Sequence, residues 1–238
     1  MNVTISRLAL RSLFGQKRGL LLLALPVLLI GLSVVTVLLT DDAQVIEPIT
    51  LVFGLGLVLP LVSLLVSTGV LGPEIEDGSL IYLLATPVSR LSVAVSKLAV
   101  AAAVTVLLGA GSVLLSALIL DPAELAQALA LGFGATVAGV AYCALFVALS
   151  ALLRHGTVAG LIYVLVFEGL LASWLSGLRY ISVGSFGRRI AGSLTDNLEL
   201  LVREMSLVYA VLAALVVIVG GALFAGSRLR SFELRGED

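Results

Sequence analysis

Charge is what this chain of 238 residues has least of: Asp, Glu, Lys and Arg together make up 12% of it, where a typical soluble domain carries about 25%. Hydrophobic residues make up 60% and the mean hydropathy is +1.20. That balance excludes an ordinary soluble enzyme. It also excludes a disordered chain, which is defined by too little apolar surface. There is one cysteine, Cys143, so no intrachain disulfide and no CxxC-type metal site can form. In an apolar run it reads as a small packing residue. There is one histidine, His155, so no H-E-x-x-H zinc site exists, and it reads as an interfacial residue beside Arg154. No G-x-x-x-x-G-K-[ST] string occurs, so this chain does not hydrolyse ATP through a phosphate loop. A net charge of −1 gives no field to draw in nucleic acid.

What the chain does have is long unbroken apolar runs. A transmembrane β-barrel would show short alternating segments instead. About 20 apolar residues in a helix cross a hydrocarbon core of roughly 30 Å. Six such runs can be read, at about Gly19–Thr40, Pro48–Leu71, Leu98–Leu120, Leu125–Leu153, Thr157–Leu175 and Met205–Gly226. The fold class expected is therefore all-α, a polytopic membrane protein with six transmembrane helices forming a single transmembrane domain over 1–238.

Six spans put both termini on one side, and basic residues choose the side. Arg7, Arg11, Lys17 and Arg18, then Arg90 and Lys97, then Arg154, then Arg228, Arg230 and Arg235 fall on the side of the termini. Only Arg179, Arg188, Arg189 and Arg203 fall opposite. Both termini are expected in the cytoplasm. The basic leader and the length of the first run read as a retained span rather than a cleaved signal peptide. Residues 1–17 suit a helix lying on the cytoplasmic membrane surface, and 227–238 form a cytoplasmic tail. The aliphatic-rich, lysine-poor composition suits a prokaryotic inner membrane.

Glu168 is the one charge inside an expected span. A carboxylate at the bilayer centre costs about 2.5–3.5 kcal/mol on insertion scales, and less toward the outer face where this one falls. The plainer reading pairs it with Arg179, Arg188 or Arg189 and so fixes the outer loop against the bundle. The alternative makes it a substrate contact, a proton site or a gate. The loop at 176–204 has Phe186, Ile190, Leu194 and Leu198 at four-residue spacing, one face of an amphipathic helix. Pro26 and Pro60 each remove a helical hydrogen bond and can kink a lining helix. Pro60, Phe186 and Glu168 are the candidates for a gate or translocation path.

The connection after the second run, within 72–97, is the most informative. Glu74, Glu76 and Asp77 favour a helix N-terminus, a short apolar turn follows, and Pro87 ends it. A short amphipathic helix against the cytoplasmic face fits, as does an elbow that merely turns the chain. The string Glu76-Asp77-Gly78-Ser79-Leu80, continuing through Leu83-Leu84-Ala85-Thr86-Pro87-Val88-Ser89-Arg90 to Lys97, resembles the signature of ABC-2 type transporter permeases. Phe167-Glu168-Gly169, followed by Gly177-Leu178-Arg179-Tyr180-Ile181-Ser182, is similar to a Trp-Glu-Gly and Gly-x-Arg-x-Leu-Ser stretch of one prokaryotic branch, with Phe167 in place of Trp.

The resemblance implies an ABC-2 type permease fold and a permease subunit of an ATP-driven exporter. It implies that 72–97 is the coupling segment that contacts a separate ATPase, with Glu74, Glu76, Asp77, Tyr82, Leu83, Thr86, Pro87 and Arg90 as its contacts. No cofactor is expected on this chain. ATP and Mg would sit on the partner ATPase, two copies of which would serve two permeases, identical or related. The translocation path would lie between the permeases along spans one, two and five. Its Leu, Val, Ala, Ser and Thr lining favours lipidic or amphipathic cargo. The rival readings are a proton-coupled secondary transporter using Glu168 and a membrane scaffold or sensor subunit without cargo.

Overall fold

The computed structural model describes residues 13, 17–39, 48–76, 90–153, 155–195 and 205–231. No strand occurs among them. The first helix, α1, is Lys17–Leu39. A π-helical stretch, π1 (Pro48–Val58), runs straight into α2 (Leu59–Glu76). Next come α3 (Arg90–Thr105), π2 (Val106–Ala110) and α4 (Gly111–Leu120), also continuous. A tight turn at 121–124 leads to α5 (Leu125–Leu152). Then follow α6 (Gly156–Ile162), π3 (Tyr163–Leu171) and α7 (Ala172–Trp174). A 3₁₀ turn (Ser176–Tyr180), α8 (Val183–Gly192) and α9 (Leu207–Ser231) complete the chain.

Among the described residues, five helical stretches are long and apolar enough to cross a membrane: Gly19–Leu39, Pro48–Val70, Ser92–Leu120, Leu125–Leu152 and Leu207–Arg228. These agree with five of the six apolar runs. The remaining run, Gly156–Leu171, is a shorter apolar helix. Much of it is π-helical, and a π turn takes in an extra residue per turn, so the same number of residues advances less along the axis.

Two ends differ from the hydropathy reading. The helix of the third span begins at Arg90, not near Leu98, and α2 continues to Glu76 beyond its apolar window. Hydropathy stops at the first charges, whereas a helix does not.

The bundle is built round α5, which packs against α2, α3, α4, α8 and α9. Its run of Ala and Gly explains the position, since small residues let neighbouring backbones close in. Gly221 of α9 lies so near that a Cβ there would be 2.6 Å from the Ala144 carbonyl oxygen. By contrast α1 buries only a narrow stripe, Gly19, Leu22, Pro26, Leu29 and Ser33, at spacings of three, four, three and four. Apart from Leu25, which is partly buried, its other leucines and valines face outward, among them Leu20, Val27, Leu38 and Leu39. In water such a surface would be an anomaly; against acyl chains it is the solvated face. Leu13, the one described residue of the leader before Lys17, is buried against Gly69 of α2.

Pro60 falls at the start of α2, just where π1 ends. The hydrogen-bond ladder changes there from i→i+5 to i→i+4, and a residue without an N–H suits the change of register.

Candidate functional site

Glu168 lies in π3 and is buried, and its partners come from two directions. From its own helix, Tyr163 donates its hydroxyl to Oε1 at 3.0 Å. Residues five apart lie about 140° apart round an α-helix. The π geometry, which closes i→i+5, brings the two side chains together. From beyond α7, Ser182 Oγ donates to Oε2 at 2.6 Å, and the Val183 and Gly184 amides reach Oε1 at 2.9 and 3.4 Å.

Those amides are the first of α8. Ser182 is the N-cap of α8, its Oγ accepting from the Ser185 amide at 3.2 Å. The Glu168 carboxylate thus caps a helix from a different part of the chain, where exposed N–H groups and the helix dipole favour an anion. The segment after Trp174 is folded back to allow this, and Arg179 Nε donates to the Ala172 carbonyl at 3.3 Å. On the far side, Arg189 Nε donates to the Met205 carbonyl and Tyr209 donates its hydroxyl to the Tyr180 carbonyl at 2.9 Å.

The helix α8 lies antiparallel on α5 at backbone contact. A Cβ on Gly187 would be 2.7 Å from the Ala138 Cβ and 2.8 Å from the Gly134 oxygen. Deeper along the same pair, a Cβ on Gly184 would be 2.9 Å from the Tyr142 hydroxyl, 3.1 Å from Glu168 Oε2 and 3.3 Å from Arg188 Nη2. Three polar groups from three helices converge over this one glycine. The Tyr142 hydroxyl is fully buried and approaches Glu168 without reaching hydrogen-bond geometry, so it has no partner. A buried hydroxyl in that state costs about 1–3 kcal/mol. Its ring continues an aromatic series that joins α5 to π3: Tyr142 stacks on Phe146 at 5.8 Å, Phe146 meets Tyr163 edge-on at 6.1 Å, and Tyr163 stacks on Phe167 at 5.1 Å.

The expected pairing of Glu168 with arginine is thus replaced by hydroxyl and amide donors, although Arg188 stands nearby. The physical reason is that a helix N-terminus offers fixed donors which need no long side chain to be ordered. Phe186 is buried against Tyr209, ring centroids 6.5 Å apart, and Pro60 is buried too. The amphipathic stripe is shorter than its spacing suggested. Phe186 and Ile190 are buried, but α8 ends at Gly192 and Leu194 beyond it is exposed. Leu198 lies outside the described residues.

At the other end of the bundle Glu74 and Glu76 fall in the last turns of α2, and Arg90 is the first residue of α3. Asp77, Tyr82, Leu83, Thr86 and Pro87 lie outside the described residues. A residue the hydropathy reading left in the connection, Lys97, is inside α3 and fully buried, its Nζ donating to the Val70 carbonyl of α2 at 3.0 Å. Its own sequence gives a signal, a lysine on the buried face one turn past Val93 and Ala94. Tyr142 and Gly184 gave none, because they meet only in the packed bundle. Cys143 is a packing residue, with its thiol on Thr105 Oγ1 at 3.1 Å.

A search of curated proteins found no match for the chain. The model of the ABC-2 family transporter proteins matches it over residues 17–184, from the start of α1 to the first turn of α8. That stretch includes Lys97, Glu168 and the connection between α2 and α3, and it is most of the chain. With its helical, multi-pass architecture, this protein belongs to the ABC-2 family as a permease, a membrane-spanning subunit of an ABC transporter.

Proposed function

We propose that this permease works with a separate ATPase that docks on the connection between α2 and α3, and that the complex exports its cargo. The carrying observation is how the two helices meet that connection. Both run past their apolar windows, which end at Val70 and resume at Ser92, to Glu76 and Arg90. The six further residues of α2 extend it by about 9 Å. The permease-like string of the sequence therefore begins on rigid helix clear of the apolar layer. Just below, Lys97 braces α3 against α2. A push on the connection acts on both helices together rather than flexing one of them.

In this reading Glu74, Glu76, Asp77, Tyr82, Leu83, Thr86, Pro87 and Arg90 face the ATPase, on which ATP and Mg are held. Two permeases and two ATPases form the working unit, with the path between the permeases. The connection and both termini face the cytoplasm of a prokaryotic inner membrane, so α8 sits at the outer side, where Phe186, Pro60 and Glu168 belong to the gate. The four donors on Glu168 suit a docking point for α8 better than a proton carrier, which weighs against the secondary-transporter reading.

The test is co-purification of the tagged chain with the ATPase encoded beside it, in mild detergent. Wild type retains the ATPase, and Glu76→Arg combined with Arg90→Glu loses it while the permease remains folded. Wild type that retains no ATPase sinks the proposal.

A further inference from the structure

We propose that Tyr142 and the first turn of α8 compete for Glu168, which makes Glu168 a two-position latch and the positioning residue for α8. The donors now on Glu168 divide into a permanent one and a removable set. Tyr163 is on the same helix and stays wherever α8 goes. Ser182, Val183 and Gly184 leave together if α8 lifts from α5, since all three belong to its N-terminal turn.

The groove left by that departure is not bare. The Tyr142 hydroxyl already points to the place where Gly184 meets Glu168 Oε2, and at present it bonds to nothing. A buried hydroxyl without a partner beside a carboxylate with four donors is an unbalanced arrangement, because a small rearrangement would satisfy both. With α8 docked, the Ser182, Val183 and Gly184 donors hold both carboxylate oxygens, and the nearby Tyr142 hydroxyl makes no hydrogen bond. With α8 lifted, Tyr142 donates to Glu168, and the carboxylate is not stranded among apolar side chains. Competition of this kind lowers the barrier to release while keeping both positions defined, as a bistable element requires.

The remaining contacts of α8 suit a body that moves as a unit. It spans ten residues, rests on α5 at backbone contact through Gly187 and Ala191, and is tied by Arg189 to Met205, just before α9. Arg188 travels with it and removes a positive neighbour from Glu168 on release. The latch needs no ATPase to exist, so its failure and the failure of the coupling proposal are separate results.

Hydrogen–deuterium exchange of the full-length protein in lipid nanodiscs reads the docking of α8 directly, through amides 183–192. Removal of the competitor by Tyr142→Phe is expected to slow their exchange about tenfold, with no loss of folded protein. Glu168→Gln is expected to speed exchange, and in that background Tyr142→Phe changes it less than about twofold. Ser182→Ala, a milder withdrawal of one α8 donor, speeds exchange while leaving the Tyr142→Phe slowing in place. If Glu168→Gln is not recovered folded, Glu168→Asp replaces it, with the Tyr142→Phe effect again reduced. A purely packing role for Tyr142 gives unchanged or faster exchange in Tyr142→Phe, or the same change whether or not Glu168 is present. Either result overturns the latch.

Discussion

The two ends of the bundle solve one problem with opposite charges. At the end where α2 and α3 are joined, a buried cation, Lys97, is placed on a backbone carbonyl. At the opposite end a buried anion, Glu168, is placed on backbone amides. The cation reaches along the side of a long continuous helix, where the Val70 carbonyl has a second lone pair to offer. The anion reaches the open end of a ten-residue helix whose first N–H groups have no partner of their own. The first arrangement braces two helices that are already rigid. The second ties a short helix to π3, beside the Gly134–Gly187 contact to α5. Loss of one charge should therefore be tolerated structurally at the Lys97 end and not at the Glu168 end.

The largest effect expected lies at the backbone contact that brings α8 to Glu168. Gly187→Leu places a side chain where the Gly134 oxygen and Ala138 already stand, and backbone cannot retreat as a flexible side chain would. It should cost about 3 kcal/mol or more, seen as a loss of monodisperse protein in mild detergent. Wild-type behaviour of this variant would mean that α8 does not rest on α5.

Next is Glu168→Ala, which leaves the Ser182 hydroxyl and the Val183 amide without their acceptor in a buried site. About 2–4 kcal/mol of thermal stability should be lost in detergent, more than Glu168→Gln loses. Lys97→Met, which keeps the stem and removes the charge, should cost less, about 1–2 kcal/mol. It should nevertheless weaken the response of ATPase activity to the permease, because the brace beside the α2–α3 connection is gone. Equal stability losses for the two charge removals would erase the contrast between the ends.

These residues also mark how far the sequence could be read. Apolar runs fix four spans to within a few residues, because the bilayer demands length and hydropathy reports it, whereas the third begins at Ser92 and not near Leu98. Glu168 stands out in the sequence for the same reason, as a charge where none is expected. Its partners do not stand out. Tyr163 becomes a neighbour only through π geometry, and Ser182 and Gly184 only because the chain folds back after Trp174. Lys97 was hidden by the opposite error, since a hydropathy profile ends a span at the first cation, whereas a lysine can be buried once its ammonium finds a carbonyl. The stripe from Phe186 to Leu198 has the spacing of a helix, yet α8 ends at Gly192, before Leu194 joins it.

The smallest effect belongs to α1, where neither kind of charge is used. Its buried stripe holds one polar residue, Ser33, whose Oγ lies 2.6 Å from Ser116 Oγ on α4 and also donates to the Leu29 carbonyl at 2.9 Å. Hydrogen bonds between membrane helices average about 0.6 kcal/mol, because a separated helix finds substitutes, and here the Leu29 carbonyl is such a substitute for Ser33. Ser33→Ala should therefore lower stability by only about 0.6 kcal/mol, and Ser33→Ala combined with Ser116→Ala should cost little more than either change alone. A double-mutant cycle on the thermal unfolding of the purified protein measures this. A coupling well above about 1.7 kcal/mol, the upper end for such pairs, would show that α1 is held by a polar contact after all. The contrast would then lie between anchored helices and α9, whose small-residue face packs on α5 with Gly221 against Ala144.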